Sequence, residues 1–266
     1  MIVSTENLWS LIWGTPQVDP TDLARTVLRQ CQREDNDSRT QLLIRDSSQA
    51  LKDYWGKEKW QRWLSDSGMS EYIQRVFREV TDEPGFSSIR NRLKEKTDPE
   101  TVKQLLREAG LRIRTSTRVN IGGSISLILK GYLSRSTEVI DVVDELPEAI
   151  RRDHNLLDDL KSRYGLLLTH FQSHYLPESW DNRLHYLDTF GQLQVYLVDV
   201  YDVFLSKLFS SRTKDLDDLR MLLPQLEKDT LTDRLRRTTK AFLSSETLRS
   251  KAEKNWYILF GDELPQ

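Results

Sequence analysis

Cysteine is nearly absent: Cys31 stands alone in 266 residues. A single thiol cannot close an internal disulfide, and it has no second cysteine with which to share a zinc ion. The fold therefore rests on its own core, which a chain of this length can build. The same scarcity points to a reducing, cytoplasmic setting. Long apolar runs are missing too. None approaches the roughly 18 residues that a membrane span needs, so no membrane partner is expected. The first 16 residues hold one acid, Glu6, no base, and a Gly14-Thr15-Pro16 break, which is not a signal-peptide pattern. An excess of either charge is lacking as well: 39 lysines and arginines face 41 aspartates and glutamates. That excludes a chain that is basic all over and leaves room for a local basic patch. Histidines are few: His154, His170, His174 and His185. His170 and His174 are spaced to share a helix face, but the glutamate that accompanies such a pair in a zinc helix is missing. No P-loop, nucleophile elbow or dinucleotide fingerprint is present.

What the chain has is pattern. Charge is even, with 17 basic and 18 acidic side chains up to residue 110 and 22 and 23 beyond it. Periodicity is what divides it. Asp19-Pro20-Thr21-Asp22 predicts a helix start before Leu23, Val27 and Leu28, and Asp46-Ser47-Ser48 predicts another before Ala50, Leu51, Tyr54 and Trp55. Tyr72, Ile73, Val76 and Phe77 are spaced as one helical face, with a turn at Asp82-Glu83-Pro84-Gly85. Asp98 caps a further helix with Pro99 at its first position. Five of the seven tryptophans, Trp9, Trp13, Trp55, Trp60 and Trp63, crowd this region. They admit a base-stacking surface, although the four-residue step from Trp9 to Trp13 favours a helical core filled with large rings.

After residue 114 the pattern changes. Arg118–Ile121 and Val139–Asp144 read as strands, with a compact apolar helix, Ser124–Leu133, between them. Helix returns near Leu156–Leu168. Leu184–Leu187 and Leu193–Val198 read as two further strands. Helices near 200–210, 214–223, 231–243 and 246–257 close the chain. The fold class is α+β: a helical N-terminal region over 1–110, then a small mixed-sheet core with C-terminal helices over 111–266.

Chemistry concentrates between Ile121 and Glu145. Gly122 and Gly123 let the backbone approach a ligand closely. A helix opening at Ser124 aims free N–H groups and a positive dipole end at an anion such as a phosphate. An adjacent strand with carboxylates two apart would put both on one face, where they can hold Mg²⁺ against a triphosphate. Between Lys103 and Arg135, seven basic side chains (Lys103, Arg107, Arg112, Arg114, Arg118, Lys130 and Arg135) face one acid, Glu108. They form either a nucleic-acid or triphosphate contact or a solvated helix face.

This arrangement resembles the DNA polymerase β-type nucleotidyltransferase superfamily. It is more closely similar to uncharacterised bacterial nucleotidyltransferase-like proteins related to the toxins of abortive-infection toxin–antitoxin pairs. The resemblance is carried by Gly122-Gly123-Ser124, Arg135-x-Thr137 and Ile140-Asp141-Val142-Val143-Asp144-Glu145-Leu146-Pro147. Tyr201–Leu208, Arg212-x-Lys214-Asp215-x-x-Asp218-Leu219, Asn255-Trp256-Tyr257 and Phe260-Gly261-x-x-Leu264-Pro265 extend it over about residues 115–265. It implies a nucleoside triphosphate held by Gly122, Gly123, Ser124, Arg135 and Thr137. It implies Mg²⁺ on Asp141, catalytic roles for Asp141 and Lys207, and RNA or protein as acceptor. Arg135 would brace the acidic strand or the phosphates.

One departure matters. The family pattern after Arg-x-Thr is x-Asp-Ile-Asp, and Val139 stands in place of the first aspartate. Val139, Asp141 and Val143 share one strand face and Glu138, Ile140, Val142 and Asp144 the other, so Glu138 cannot replace the missing acid without a bulge or slip. A third carboxylate is not evident either, Asp199 being the only acid in Leu193–Asp199. Lys207 reads as a phosphate contact or as an exposed lysine beside an apolar stripe. Lys214 and Asp218 are spaced as a structural ion pair, with Asp215 at a helix start. Three readings stay open: a nucleotidyltransferase, an inactive module of that fold that binds a partner through its N-terminal helices, and the toxin half of a toxin–antitoxin pair.

Overall fold

The computed structural model describes residues 7–14, 17–33, 36–68, 87–90 and 92–265. The helical face at Tyr72–Phe77 and the turn at Asp82–Gly85 lie outside the described residues. Two compact units meet in sequence between Lys96 and Thr97. No described helix is long and apolar enough to cross a membrane.

The first unit is helical. Asp19 caps the helix Pro20–Cys31 by accepting from the Thr21 and Asp22 N–H groups at 2.9 and 3.1 Å. Asp37 caps Ser38–Trp55 through the Thr40 N–H at 2.8 Å. That second helix runs straight through the start expected at Asp46. Ser48 is no cap: its hydroxyl donates to the Ile44 carbonyl one turn back, at 2.8 Å, a bond that keeps a serine inside a helix. With Leu8–Gly14 and Lys57–Asp66, these helices bury Leu8, Ile12, Leu23, Leu51, Trp60 and Leu64. The tryptophans divide. Trp60 is buried and stacks on Trp63 at 5.2 Å, whereas Trp9 and Trp13 stack on each other near solvent, Trp13 being 69% exposed.

The second unit begins at Thr97, and its first helix is Pro99–Arg112. Asp98 caps it as its sequence foretells, accepting from the Glu100 and Thr101 N–H groups. A five-stranded mixed sheet follows: β1 Thr117–Ile121, β2 Val139–Val143, β3 Leu167–Phe171, β4 His185–Phe190 and β5 Leu193–Leu197, in the order β3-β2-β1-β5-β4. β1 runs parallel to β5 and antiparallel to β2; β2 is parallel to β3, and β4 antiparallel to β5. β3 begins at the end of the segment near Leu156–Leu168 that the sequence pattern reads as helix. The helix His154–Tyr164 stops at Gly165, whose φ of 66° only glycine adopts cheaply, and the largely apolar run after it pairs with β2. His170 is therefore on a strand and His174 in the short turn Ser173–Tyr175, not on one helix face.

Register assigns the two sheet faces. Ile121 lies opposite Val142, and in turn Leu197 beside Ile121; with Val119, Ile140, Leu193 and Val195 these are buried in the core. The opposite face carries Val139 and Asp141 on β2, Thr169 on β3, Asn120 and Arg118 on β1, and Tyr196 on β5. Behind β5 the chain enters Val200–Leu208, then Thr213–Leu222, Lys228–Thr238, Lys240–Leu243 and Glu246–Phe260. Asn255 of the last helix donates to the carbonyls of Leu208 and Ser210 at 2.8 and 2.9 Å. It thereby satisfies orphan groups at the end of Val200–Leu208 and fixes the loop that follows.

Candidate active site

A cleft of about 580 Å³ opens over β2. Of the seven residues singled out in the sequence, six line it: Gly123, Ser124, Arg135, Thr137, Asp141 and Lys207. Gly122 stands behind it, buried against Phe171, whose ring a Cβ at Gly122 would meet at 2.8 Å. Elements far apart in sequence supply the walls: the β1–helix turn, the approach to β2, the helix Val200–Leu208, the loop Ser210–Arg212 and the start of the helix Thr213–Leu222.

The floor is sparse. Val139 and Asp141 face the cleft together, and Ile140 and Val142 are buried behind them, as the strand alternation requires. The Asp141 carboxylate accepts from the Thr169 hydroxyl at 3.0 Å. Its other oxygen presses on Gly123, where an added Cβ would stand 2.5 Å from it and where φ is +60°. Glycine at 123 is thus required twice, by backbone conformation and by the approach of the acid. Thr169 holds the β3 position in register with Asp141, so the strand neighbour offers a hydroxyl, not a second carboxylate. Among the described residues no group of three His, Cys, Asp or Glu side chains is placed to hold a metal. One carboxylate and one hydroxyl do not fit a resident pair of Mg²⁺ ions.

The wall is dense. Lys207 is buried, which removes the exposed-lysine reading; its Nζ lies 2.6 Å from Asp215 Oδ1 and 2.8 Å from Asp218 Oδ2. Asp218 also pairs with Arg135 Nε at 2.8 Å and accepts from the Ser124 hydroxyl at 3.0 Å. Arg135 in turn donates to Ser124 Oγ at 2.6 Å. The Ser124 hydroxyl is therefore committed on both sides within the protein. Asp215 further accepts from Ser210 and Arg212, each at 2.7 Å. Thr137 is buried, and its N–H donates to the Thr97 hydroxyl at 2.8 Å, which sets the entry to β2.

Asp215 and Asp218 are the residues the spacing argument undervalued. Asp218 does not pair with Lys214 along its own helix; it turns inward to Arg135 and Lys207. Its partners lie 83 and 11 residues away in sequence, beyond any helical spacing rule. Asp199 is not a missing ligand. It caps Val200–Leu208 and binds His185 Nε2 and Arg234, each at 2.8 Å, outside the cleft. Of the seven basic residues between Lys103 and Arg135, only Arg135 lines the cleft.

The cleft's electrostatics favour an anion. Arg135, Lys207, Arg212, Lys214 and Lys251 line it against Asp141 and Asp215. Lys214 and Lys251 have no carboxylate within ion-pair reach among the described residues. Burial, then the charge of Arg135, pulls the Lys214 ammonium below its usual value by more than Asp218 restores. Burial likewise lowers the Arg135 guanidinium, with Asp218 working against it. Burial pushes the Asp215 carboxyl up, but Lys207, Ser210 and Arg212 hold it below the ordinary carboxylate range. Phe171, Tyr175, Leu176 and Phe242 add apolar surface to the lining.

No curated protein and no solved structure matches the chain. Residues 100–258 match the model of the family described as nucleotidyltransferase of unknown function (DUF6036), a span that holds the whole sheet and every charged side chain of the cleft. A cation-rich cleft over a glycine turn and an acid-bearing strand, together with that match across more than half its length, settles the kinship: the chain belongs to this nucleotidyltransferase family.

Proposed function

We propose that the cleft binds a nucleoside triphosphate, and that Val139 leaves the chain a nucleotide-binding protein with crippled nucleotidyl transfer. The observation that carries this is the pairing of a cation-rich wall with a floor that has one carboxylate. Lys214, Lys251 and the exposed head of Arg212 are the groups to meet the polyphosphate. The apolar lining at Phe171 and Tyr175 suits a base. Lys207 and Arg135, each already paired with aspartate, act mainly by holding that wall in place. Asp141 is the residue that would meet a Mg²⁺ ion brought by the triphosphate, and the ion would supply neutralisation of phosphate charge. The finer kinship with the polymerase β-type superfamily, an RNA or protein acceptor, a protein partner for the N-terminal helices and a toxin–antitoxin setting belong to the same proposal.

The test pairs calorimetric titration of nucleoside triphosphates with a labelled-nucleotide transfer assay on total bacterial RNA. The natural protein should bind nucleotide and label RNA barely. Lys214→Ala and Lys251→Ala should each weaken binding. Val139→Asp should raise transfer well above the natural protein, and Asp141→Asn should abolish that gain. Absence of nucleotide binding overturns the proposal. Vigorous transfer by the natural protein that disappears with Asp141→Asn overturns its second half.

A further inference from the structure

The sheet face that carries Asp141 continues beyond the cleft, across β1, β5 and β4, where Arg118, Gln194 and Tyr186 are exposed and Asn120 and Tyr196 half-buried. Register places Asn120 beside Tyr196 and Tyr196 opposite Tyr186, so these share one face with Asp141. Tyr186 is 56% exposed, and its ring centre lies 5.4 Å from that of Tyr196 with the planes 63° apart. The Tyr186 hydroxyl is tied to Thr189 at 2.8 Å, which holds the ring on the face. The Arg118 guanidinium sits 4.2 Å from the Tyr196 ring centre and is oriented by donating to Asn120 Oδ1 at 3.0 Å. No carboxylate pairs with Arg118 among the described residues. Arg112 and Arg114, on the approach to β1, are exposed as well, and Gln194 adds an amide. Asp188, on the β4 edge, is the nearby acid, and its carboxylate accepts from the Thr189 N–H.

We propose that this face binds a single-stranded polynucleotide. The exposed Tyr186 ring and the Arg118 guanidinium carried over Tyr196 offer two planar stacking surfaces, which a strand with unstacked bases can use and a duplex cannot. Arg118 supplies a preoriented cation for a phosphate or for stacking on a base plane, and the amides can read base edges. The strand of Tyr196 lies two strand spacings from that of Asp141, about 10 Å across the sheet. A bound strand therefore ends within reach of the cleft, as an acceptor would. That last clause rests on the nucleotide-binding proposal; the binding face itself does not.

The experiment is fluorescence anisotropy with a short, mixed-sequence labelled oligonucleotide as single-stranded RNA, as single-stranded DNA and as duplex. Triphosphate titration is run on the same proteins. Both single strands, or RNA alone, should bind more tightly than duplex. Tyr186→Ala and Tyr196→Ala should each weaken binding roughly ten-fold, Tyr→Phe at either position should retain it, and Arg118→Gln should flatten its salt dependence. Triphosphate affinity should be unchanged in all of them. Equal oligonucleotide binding by the alanine variants, tighter duplex binding, or no binding by the natural protein overturns the proposal. Loss of triphosphate binding by the natural protein, with the tyrosine effects intact, strikes the cleft reading alone.

Discussion

The floor and the wall of one cleft are built on opposite terms. On the wall, Asp218 is buried and joins Lys207, Arg135 and Ser124, while Asp215 joins Lys207, Ser210 and Arg212. On the floor, Asp141 has a threonine hydroxyl and a glycine turn for company, and Val139 where a second acid would be useful. Charges withdrawn from water must be neutralised within the protein, so Lys207, Arg135, Asp215 and Asp218 are each committed to one another. The floor carries no such obligation. A valine there leaves no orphaned charge, and the scaffold tolerates the loss of a ligand that chemistry would miss. Architecture and activity can therefore part company within a few ångströms.

Asp218→Ala is expected to separate the two regions most sharply. It strands Lys207 and Arg135, both largely buried, without their shared partner. The cost should be about 3–5 kcal/mol, a fall in Tm of roughly 10 °C by calorimetry. Asp141→Asn should change stability by less than about 1 kcal/mol, since the amide can still accept from Thr169. If the two substitutions cost alike, the contrast between wall and floor is wrong.

Gly123→Ala probes the seam between them. The positive φ costs about 1–2 kcal/mol for a residue with a side chain, and the new methyl must displace the Asp141 carboxylate. We expect an intermediate fall in thermal stability together with weaker nucleotide binding. Unchanged values for both would mean that the turn relaxes freely.

The smallest effect concerns acid. The native Asp215 carboxyl is held below its unfolded value, so the stability it contributes is present above about pH 4 and is lost as pH falls through the native value. Asp215→Asn should flatten the acid limb of a stability-versus-pH curve measured by denaturant melts. An acid limb as steep as that of the natural protein would remove Lys207 as the cause of the shift.

Much of the site was legible before the fold. The glycine turn and the strand face of Asp141 follow from local backbone geometry, whereas Arg135, Thr137 and Lys207 are pointed to by the family resemblance alone; all but Gly122 line the cleft. Alternation along β2 alone shows that Val139 and Asp141 share a face and that Glu138 cannot serve. Helix starts at Asp19 and Asp98 were readable because a capping side chain reaches only two or three residues along the chain. Asp46 misled because serines that mimic a cap can also bond back into a helix. β3 was missed because an apolar run following a helix keeps the same hydrophobic content. Only pairing with β2 makes it a strand, and with it Thr169 became the neighbour of Asp141.

By itself the sequence determined what is local: the α+β order of elements, the caps, the face shared by Val139 and Asp141, and the single acid that the acidic strand presents on that face. Tertiary structure decided what is not local. It chose Lys207 and Arg135 as partners for Asp218 across gaps of 11 and 83 residues. It set Thr169 beside Asp141 and ranged Tyr186, Tyr196 and Arg118 along the same sheet face. The physical reason is one of range. Backbone geometry and capping act over a turn or a strand, whereas strand order and the neutralisation of buried charge are settled only when distant segments pack together.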